Sequence, residues 1–207
     1  MPKFPEPPTV EELAGLSPDE KLVPAGTVLW RLYFRGGRHP SFWNVFRSYG
    51  PTRGRFDHQL PPPHVQRRQI LYCAEHGPTC LAEVFQDTRG IDRLAGDPWL
   101  VGFVLSRDLD LLDLTGTWPT RAGASMALNS GPRPRAQRWA RIIYEAYPRL
   151  QGLYYPSSMD GNHPALALTE RAVAAMPSTP VFHRPLLDPA FLTVLRHAAR
   201  DFGYGLL

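Results

Sequence analysis

Hydrophobic and polar positions form short blocks along the chain, and the spacing within each block predicts its secondary structure. Apolar and aromatic runs between turn residues predict strands at 26–34, 70–74, 99–105, 109–114, 152–158 and 180–186. Apolar stripes with helical spacing predict helices at 10–16, from 78 onward, and at 121–129, 134–147 and 189–200. Strands and helices are interspersed without a regular βαβ repeat. The pattern therefore predicts an α+β fold with a mixed β-sheet flanked by helices.

Capping residues support the bounds of three of these helices. Thr9 followed by Glu12 matches a capping box, Pro78 suits the first turn of a helix, and Asp188 suits an N-cap.

Two segments lack the hydrophobic periodicity of a helix or a strand. We expect the proline-rich residues 1–8 to be a mobile lead-in, and residues 35–69 to be a long, functional loop.

The length and composition indicate one globular domain. With 207 residues, 43% hydrophobic and 20% charged, we expect a short lead-in with one helix at 1–25 and a single domain at 26–207. No apolar run is long enough to cross a bilayer and the start lacks a signal-peptide core, so we expect a cytoplasmic protein with no membrane partner. The two cysteines, Cys73 and Cys80, are too few for a disulfide framework.

Positive charge is carried almost entirely by arginine. The formal net charge is +4, and Lys3 and Lys21 are the only lysines among 23 basic residues. A phosphate-rich ligand is one interpretation, and a coding bias toward arginine, which we favour, is the other. A basic face on the helix at 134–147 can likewise be a nucleic-acid or partner surface, or a solvated helix face. We favour the solvated face, because few aromatic residues lie between its arginines: Arg133, Arg135, Arg138 and Arg141.

Standard chemical motifs are mostly missing. No Rossmann glycine motif, P-loop, HExxH or GxSxG motif occurs. Cys73, His76 and Cys80, with His58 or His64, have a spacing unlike a standard zinc site, so we interpret both cysteines as buried thiols.

One acidic residue stands out in the stretch from 69 to 89. Glu83 lies at the edge of the apolar stripe formed by Cys80, Leu81, Val84 and Phe85. It is either a rim residue that reaches solvent or a catalytic acid at the border of a cleft, and the local pattern does not choose between them.

Four segments, taken in order, resemble the RES domain family from about Val28 to Leu186: LWRLYF, GRFDH, ILYCAEHGPTCLAEVF and GLYYPSS…GNHPALAL. The family is named for Arg, Glu and Ser, and its best-known members are toxins of bacterial toxin–antitoxin pairs. The order of the motifs, the strand–turn–helix context and the spacing from Tyr72 to Glu83 carry the resemblance.

The resemblance implies degradation of NAD, by hydrolysis or phosphorolysis of the nicotinamide–ribose bond, on a fold similar to ADP-ribosyltransferase toxins. NAD is then the substrate, and we expect no cofactor and no metal. The implied partner is an Xre-type helix-turn-helix antitoxin, and a homodimer through aromatic residues of the 41–56 loop is a further hypothesis. The acceptor of the ADP-ribose is left open. One alternative is an ADP-ribosyltransferase that modifies a protein, and another is a non-catalytic nucleic-acid or partner-binding module.

The resemblance also implies roles for individual residues. Glu83 would stabilise the positive charge that develops on the ribose, and Ser157 would orient Glu83 or bind a ribose hydroxyl. Arg31 and Arg55 would grip the diphosphate, with Arg31 counted as catalytic. Tyr72 would stack on nicotinamide. The implied catalytic and NAD-binding set is Glu83, Arg31, Ser157, Arg55 and Tyr72, with Ser158 as the alternative match to the family serine.

Each of these residues also has a structural interpretation. Arg31 could pair with a structural carboxylate, and Tyr72 could be a core residue. Arg55 and Ser157 could serve turn geometry. The chain also departs from some relatives, which have a tyrosine directly after the first arginine where this chain has Leu32. Tyr33 is expected on the opposite face of the strand.

Overall fold

The computed structural model describes residues 4–207, and within them short strands outnumber helices. The α-helices are α1 (Val10–Ala14), α2 (Gly77–Val84), α3 (Trp118–Arg121), α4 (Ala127–Ser130), α5 (Arg133–Ala146) and α6 (Leu192–Phe202), with 3-10 helices at Glu170–Ala175 and Pro189–Phe191. The strands are β1 (Glu20–Val23), β2 (Val28–Phe34), β3 (Arg47–Gly50), β4 (His64–Ala74), β5 (Gly90–Ile91), β6 (Pro98–Val104), β7 (Leu109–Asp113), β8 (Gly152–Pro156), β9 (Pro164–Thr169), β10 (Phe182–Pro185) and β11 (Gly205–Leu206).

One large sheet forms the centre of the described part of the chain. Its strand order is β1-β7-β8-β9-β4-β2-β6-β10, with β3 paired to β4. The β7–β8 pair is parallel and the other pairs of this sheet are antiparallel. The prediction of an α+β fold with a mixed sheet is therefore confirmed.

Both faces of the sheet are covered. Because side chains alternate along a strand, Ile70 of β4 faces one core and Leu71 faces the other. The first core is larger and receives residues of α2, α5 and α6, including Leu81, Trp139 and Leu195. The second core lies on the opposite face of the sheet. The inner half of β4, which leads directly into α2, therefore has both of its faces buried.

The sheet opens between β2 and β4. These two strands share a single register pair, Trp30 with Ala74, whereas β2 pairs with β6 over seven residues. Beyond Trp30, β2 follows β6 and leaves the edge of β4. This separation leaves space between two central strands, and α2 begins at the same place, directly after β4.

Two sequence predictions were wrong, one for residues 35–69 and one for residues 121–129. Residues 35–69 are not one loop, since they include β3 and the first half of β4. The outer half of β4 is largely exposed, so it has no apolar alternation to reveal it. The predicted helix at 121–129 is two short helices, α3 and α4, because Gly123 adopts a left-handed φ of 84° between them.

The N-terminal segment is packed against α5, so the expectation of a mobile lead-in is wrong for residues 4–6; residues 1–3 lie outside the described residues. The Phe4 side chain is 5% exposed and belongs to the larger core. Nε1 of Trp139 donates to the Pro5 carbonyl at 3.0 Å, and Glu6 forms ion pairs with Arg135 and Arg138. Apolar burial and charge pairing together fix this segment.

The predicted caps of the first and last helices are confirmed. Thr9 and Glu12 exchange the two hydrogen bonds of a capping box, at 2.8 and 3.2 Å. Asp188 accepts from the amide of Ala190 at 2.9 Å, ahead of α6. Within residues 4–207, no helix has both the length and the apolar character needed to span a membrane.

Candidate active site

A cavity of about 290 Å³ lies where the sheet opens between β2 and β4. Its wall includes Tyr72 of β4, Glu83 of α2, Arg55 of the β3–β4 connection and Arg133 at the start of α5. The volume is near the lower end of the roughly 300–1,000 Å³ typical of small-molecule sites. Segments that are distant in the sequence thus bring acidic, basic and aromatic side chains to one concave surface.

Glu83 lies in the last turn of α2, where the helix passes from the core to the cavity. The Ser157 hydroxyl donates a hydrogen bond of 2.5 Å to Oε1 of Glu83. The other carboxylate oxygen, Oε2, has a weak contact of 3.5 Å with Nε2 of Gln86. One oxygen is therefore fixed by the protein, and the second retains capacity to accept from a ligand.

The hydroxyl of Ser157 is fully engaged within the protein. Ser157 is completely buried, and its oxygen accepts from the amides of Met159 and Asp160 at 3.1 and 3.2 Å while it donates to Glu83. This arrangement fits the orienting role implied for Ser157. Ser158, the alternative match, lines the cavity.

A second hydrogen bond ties the serine loop to α2. Thr79, one turn before Glu83 on the same helix face, donates to Oδ2 of Asp160 at 2.6 Å. The loop that carries Ser157 is thus held to α2 at two points, so the Ser157–Glu83 geometry is set before any ligand arrives.

Arg55 enters the cavity from the β3–β4 connection. Its Nη1 donates to the carbonyl of Gly131 at 2.6 Å. Burial lowers the pKa of Arg55, nearby Arg133 lowers it further, and Glu83 opposes this change. Arg55 therefore lies in the combined field of a second arginine and the acid.

Tyr72 is held by a buried carboxylate that the sequence did not reveal. The Tyr72 hydroxyl donates to Oδ1 of Asp57 at 2.9 Å and accepts from the amide of Phe56 at 3.0 Å. Burial, followed by the charge of Asp57, raises the pKa of Tyr72 well above its ordinary value. The phenol is thus neutral and fixed, and its ring forms part of the cavity wall.

Asp57 is the hydrogen-bond acceptor for several groups in and around the β3–β4 connection. It is completely buried and also accepts from Nη2 of Arg47 at 2.6 Å and from the amide and hydroxyl of Thr52 at 2.6 and 2.9 Å. A Cβ at Gly54 would lie 2.2 Å from Oδ1 of Asp57, so a larger residue at this position would displace the carboxylate. The GRFDH segment thus contains both the cavity arginine and the carboxylate that fixes its loop.

Arg31 does not line the cavity, in contrast to Glu83, Arg55 and Tyr72. Alternation along β2 places it on the same face as Leu29 of the second core, whereas Leu32 lines the cavity. Its electrostatic neighbours include Cys73 and Cys80 of the cavity wall, and burial lowers its pKa to about 10. Nε of Arg31 is buried without a hydrogen-bond partner. The guanidinium therefore lies beside the cavity wall, and its contact with NAD stays a prediction.

Tyr33 does not take the place of the tyrosine that some relatives have directly after the first arginine. Leu32 occupies that position and lines the cavity. The Tyr33 hydroxyl lies 2.6 Å from Nε2 of His183 on β10, outside the cavity lining. Tyr155, which we did not predict, lines the cavity and packs edge-on against Phe56 with ring centroids 4.8 Å apart. Its position in the apolar GLYYP strand made it indistinguishable from a core residue.

Arg133 is the second functional candidate that the sequence analysis missed. We treated it as part of a solvated basic face, yet it turns toward the cavity and its Nη2 lies 3.5 Å from Oδ1 of Asp87. On the same helix, Arg135 and Arg138 are paired with Glu6. Three of the four arginines of this face are thus directed to the cavity or to the N-terminal segment.

Both cysteines are free, buried thiols, as interpreted from the sequence. Burial raises the pKa of Cys80 to about 12, so its thiol is protonated at neutral pH. In the described part of the chain, no group of three or more His, Cys, Asp and Glu side chains is arranged to hold a metal ion.

Comparisons with known proteins identify the family. The model of the RES domain family matches residues 28–187, so the chain belongs to that family. The fold is similar to that of a chain in the crystal structure of the M. tuberculosis MbcT–MbcA toxin–antitoxin complex, with 16% identity and a TM-score of 0.58. The alignment covers 91% of this chain and 96% of that chain. A search of curated proteins gives no match.

The Asp57 network gives the first testable prediction. Replacing Asp57 by asparagine removes the charge that pairs with Arg47 and weakens the bonds from Thr52 and Tyr72. We expect the free energy of unfolding to fall by about 2 kcal/mol or more, because the buried network loses its negative charge and one of its two acceptor oxygens. Urea denaturation measures this difference. Asp201→Asn, at an exposed carboxylate in α6, is the matched control and should change stability by less than about 0.5 kcal/mol. Equal stability of the Asp57 variant and wild type would contradict the role given to Asp57.

Proposed function

We propose that this protein degrades NAD by cleaving the bond between nicotinamide and ribose. The observation that carries the proposal is the Glu83 carboxylate, oriented by Ser157 at 2.5 Å and facing a cavity that Arg55 and Tyr72 also line. An oriented carboxylate beside an arginine and a fixed aromatic ring suits a dinucleotide with a cationic base and an anionic diphosphate.

The chemistry follows from the charges. As the C1′–N bond breaks, its electron pair leaves with the nicotinamide nitrogen, whose positive charge is neutralised, while positive charge grows on the ribose. A carboxylate fixed next to that carbon stabilises the transition state more than the ground state. Oε2 of Glu83 is the atom for this role, since it has only the weak contact with Gln86 while Oε1 is occupied by Ser157.

The other residues supply position. Arg55 is anchored at one nitrogen by Gly131, so its remaining N–H groups are available to a phosphate in a defined direction. The ring of Tyr72 is locked by Asp57 and offers a flat surface for nicotinamide. Water, inorganic phosphate or a protein side chain can complete the reaction at C1′, and the choice among them defines hydrolysis, phosphorolysis or ADP-ribosyl transfer.

Removal of the Glu83 charge tests the proposal. With purified protein and NAD, Glu83→Gln is expected to release nicotinamide about 100- to 1,000-fold more slowly than wild type, as is typical when one preorganised stabiliser is lost. Chromatography of free nicotinamide measures the rate, and NAD labelled in the adenosine part shows whether the label stays in small molecules or moves to protein.

The matched control for this variant is Glu75→Gln. Glu75 lies just before α2, outside the cavity lining, where it accepts from the Tyr154 hydroxyl at 3.0 Å. It should retain the wild-type rate. If wild type and Glu83→Gln release nicotinamide equally fast, or if neither releases any, NAD cleavage at this site is ruled out.

We further propose that the protein is the toxin of a toxin–antitoxin pair and that an antitoxin, of the Xre helix-turn-helix type implied by the resemblance, silences it. The support is membership of the RES family and a fold similar to a chain of the MbcT–MbcA toxin–antitoxin complex. On the 41–56 segment, Phe42 is 65% exposed and Val45 is 52% exposed, which makes this an apolar surface for an antitoxin or a second copy. Trp43, in contrast, packs against Phe103.

Toxicity has a direct consequence in cells. Controlled expression of the wild-type chain in a bacterium without an antitoxin should lower cellular NAD and stop growth, because depletion of NAD halts redox metabolism. Expression of Glu83→Gln at the same level should do neither. Growth curves and an enzymatic NAD assay give the answer, and arrest by both chains with unchanged NAD would assign toxicity to something other than NAD cleavage.

A further inference from the structure

Side chains become more exposed to solvent from the interior of the cavity to its mouth. Ser157 behind Glu83 is completely buried, whereas Arg53 is exposed and Asp87 is 66% exposed in its side chain. Arg133 lies between these extremes, with a side chain that is 32% exposed. A ligand that extends out of this cavity of about 290 Å³ therefore passes these exposed charged side chains.

Charge at the mouth is unevenly paired. Arg133 has one ionic partner, Asp87, at 3.5 Å, which is beyond hydrogen-bond length. Arg53 lines the same cavity without any hydrogen bond or ion pair among the described residues. The interior acid, Glu83, is already engaged with Ser157. The mouth therefore carries an excess of guanidinium groups that a phosphate group would satisfy.

The charged neighbours of Arg55 indicate where that phosphate would lie. Glu83, Arg55 and Arg133 all line this cavity, and Arg55 has both Glu83 and Arg133 as electrostatic neighbours. In NAD the cleaved bond is separated from the diphosphate by one ribose. A nicotinamide ribose at Glu83 thus places the diphosphate next to Arg55 and then Arg133.

We propose that Arg133 is a substrate-binding residue for the diphosphate, and that Asp87 competes with the substrate for its guanidinium. This inference rests on the proposed cleavage of NAD. In the free protein the ion pair with Asp87 holds Arg133 across the mouth, and the diphosphate replaces this weak, exposed partner with a stronger one. Asp87 thereby sets the affinity for dinucleotides without touching the reacting atoms.

Two substrates separate a binding role from a structural one. Nicotinamide riboside has the same scissile bond as NAD and no phosphate. Arg133→Gln should raise the KM for NAD roughly ten- to hundred-fold, the size expected for loss of a charged hydrogen bond, with kcat nearly unchanged. It should leave kcat/KM for nicotinamide riboside within about two-fold of wild type. Asp87→Asn should lower the KM for NAD by about two- to five-fold.

The control variant is Arg149→Gln, which removes an 85% exposed arginine outside the cavity lining. It should behave as wild type with both substrates. An unchanged KM for NAD in Arg133→Gln, or an equal loss with NAD and nicotinamide riboside, would overturn the inference.

Calorimetric binding of ADP-ribose tests Arg133 without turnover. Arg133→Gln should weaken this binding at least ten-fold, and Asp87→Asn should strengthen it. If wild type binds ADP-ribose through Arg133 but releases no nicotinamide from NAD, the proposed reaction fails while the diphosphate site stands. If NAD is cleaved but ADP-ribose binds equally to wild type and Arg133→Gln, the reaction stands and the inference about Arg133 fails.

Discussion

The hydrogen bond between Ser157 and Glu83 joins the two halves of the site. One partner follows β8 and the other lies on α2, and the bond closes the interior of the cavity between them. Its geometry depends on the separation of β2 from β4, because α2 begins at that opening, and on Thr79, which fixes the serine loop to α2 a second time. An acid held in this way needs no rearrangement when charge develops beside it, which is the condition for electrostatic catalysis.

A second buried carboxylate supports the opposite wall. Asp57 gathers donors from Arg47, Thr52 and Tyr72, and so sets both the tyrosine ring and the loop that carries Arg55. The two carboxylates have different tasks. Asp57 is completely buried within its network and has a structural role, whereas Glu83 lines the cavity and its Oε2 has only a weak contact with Gln86.

Sequence reasoning predicted the fold class and most elements because apolar alternation and capping residues are local signals. It failed at the outer half of β4, where exposure removes the alternation, and at Phe4, whose burial depends on distant α5. In the site, the family motifs pointed to Glu83, Arg55, Tyr72 and Ser157, which lie at or directly behind one cavity. The motifs did not show that Arg31 lies beside the cavity wall, and they did not include Arg133, which lines the mouth. The direction of these side chains depends on how the sheet opens.

The central claim is that Ser157 acts on the reaction through Glu83. A double-mutant cycle on the rate of nicotinamide release from NAD tests it most directly, using Ser157→Ala, Glu83→Gln and the double variant. The account predicts that Ser157→Ala slows wild type by about ten-fold or more and slows the Glu83→Gln protein no further, since the group it orients has already been lost. Losses that simply multiply in the double variant would show that the two side chains act independently and would contradict the account.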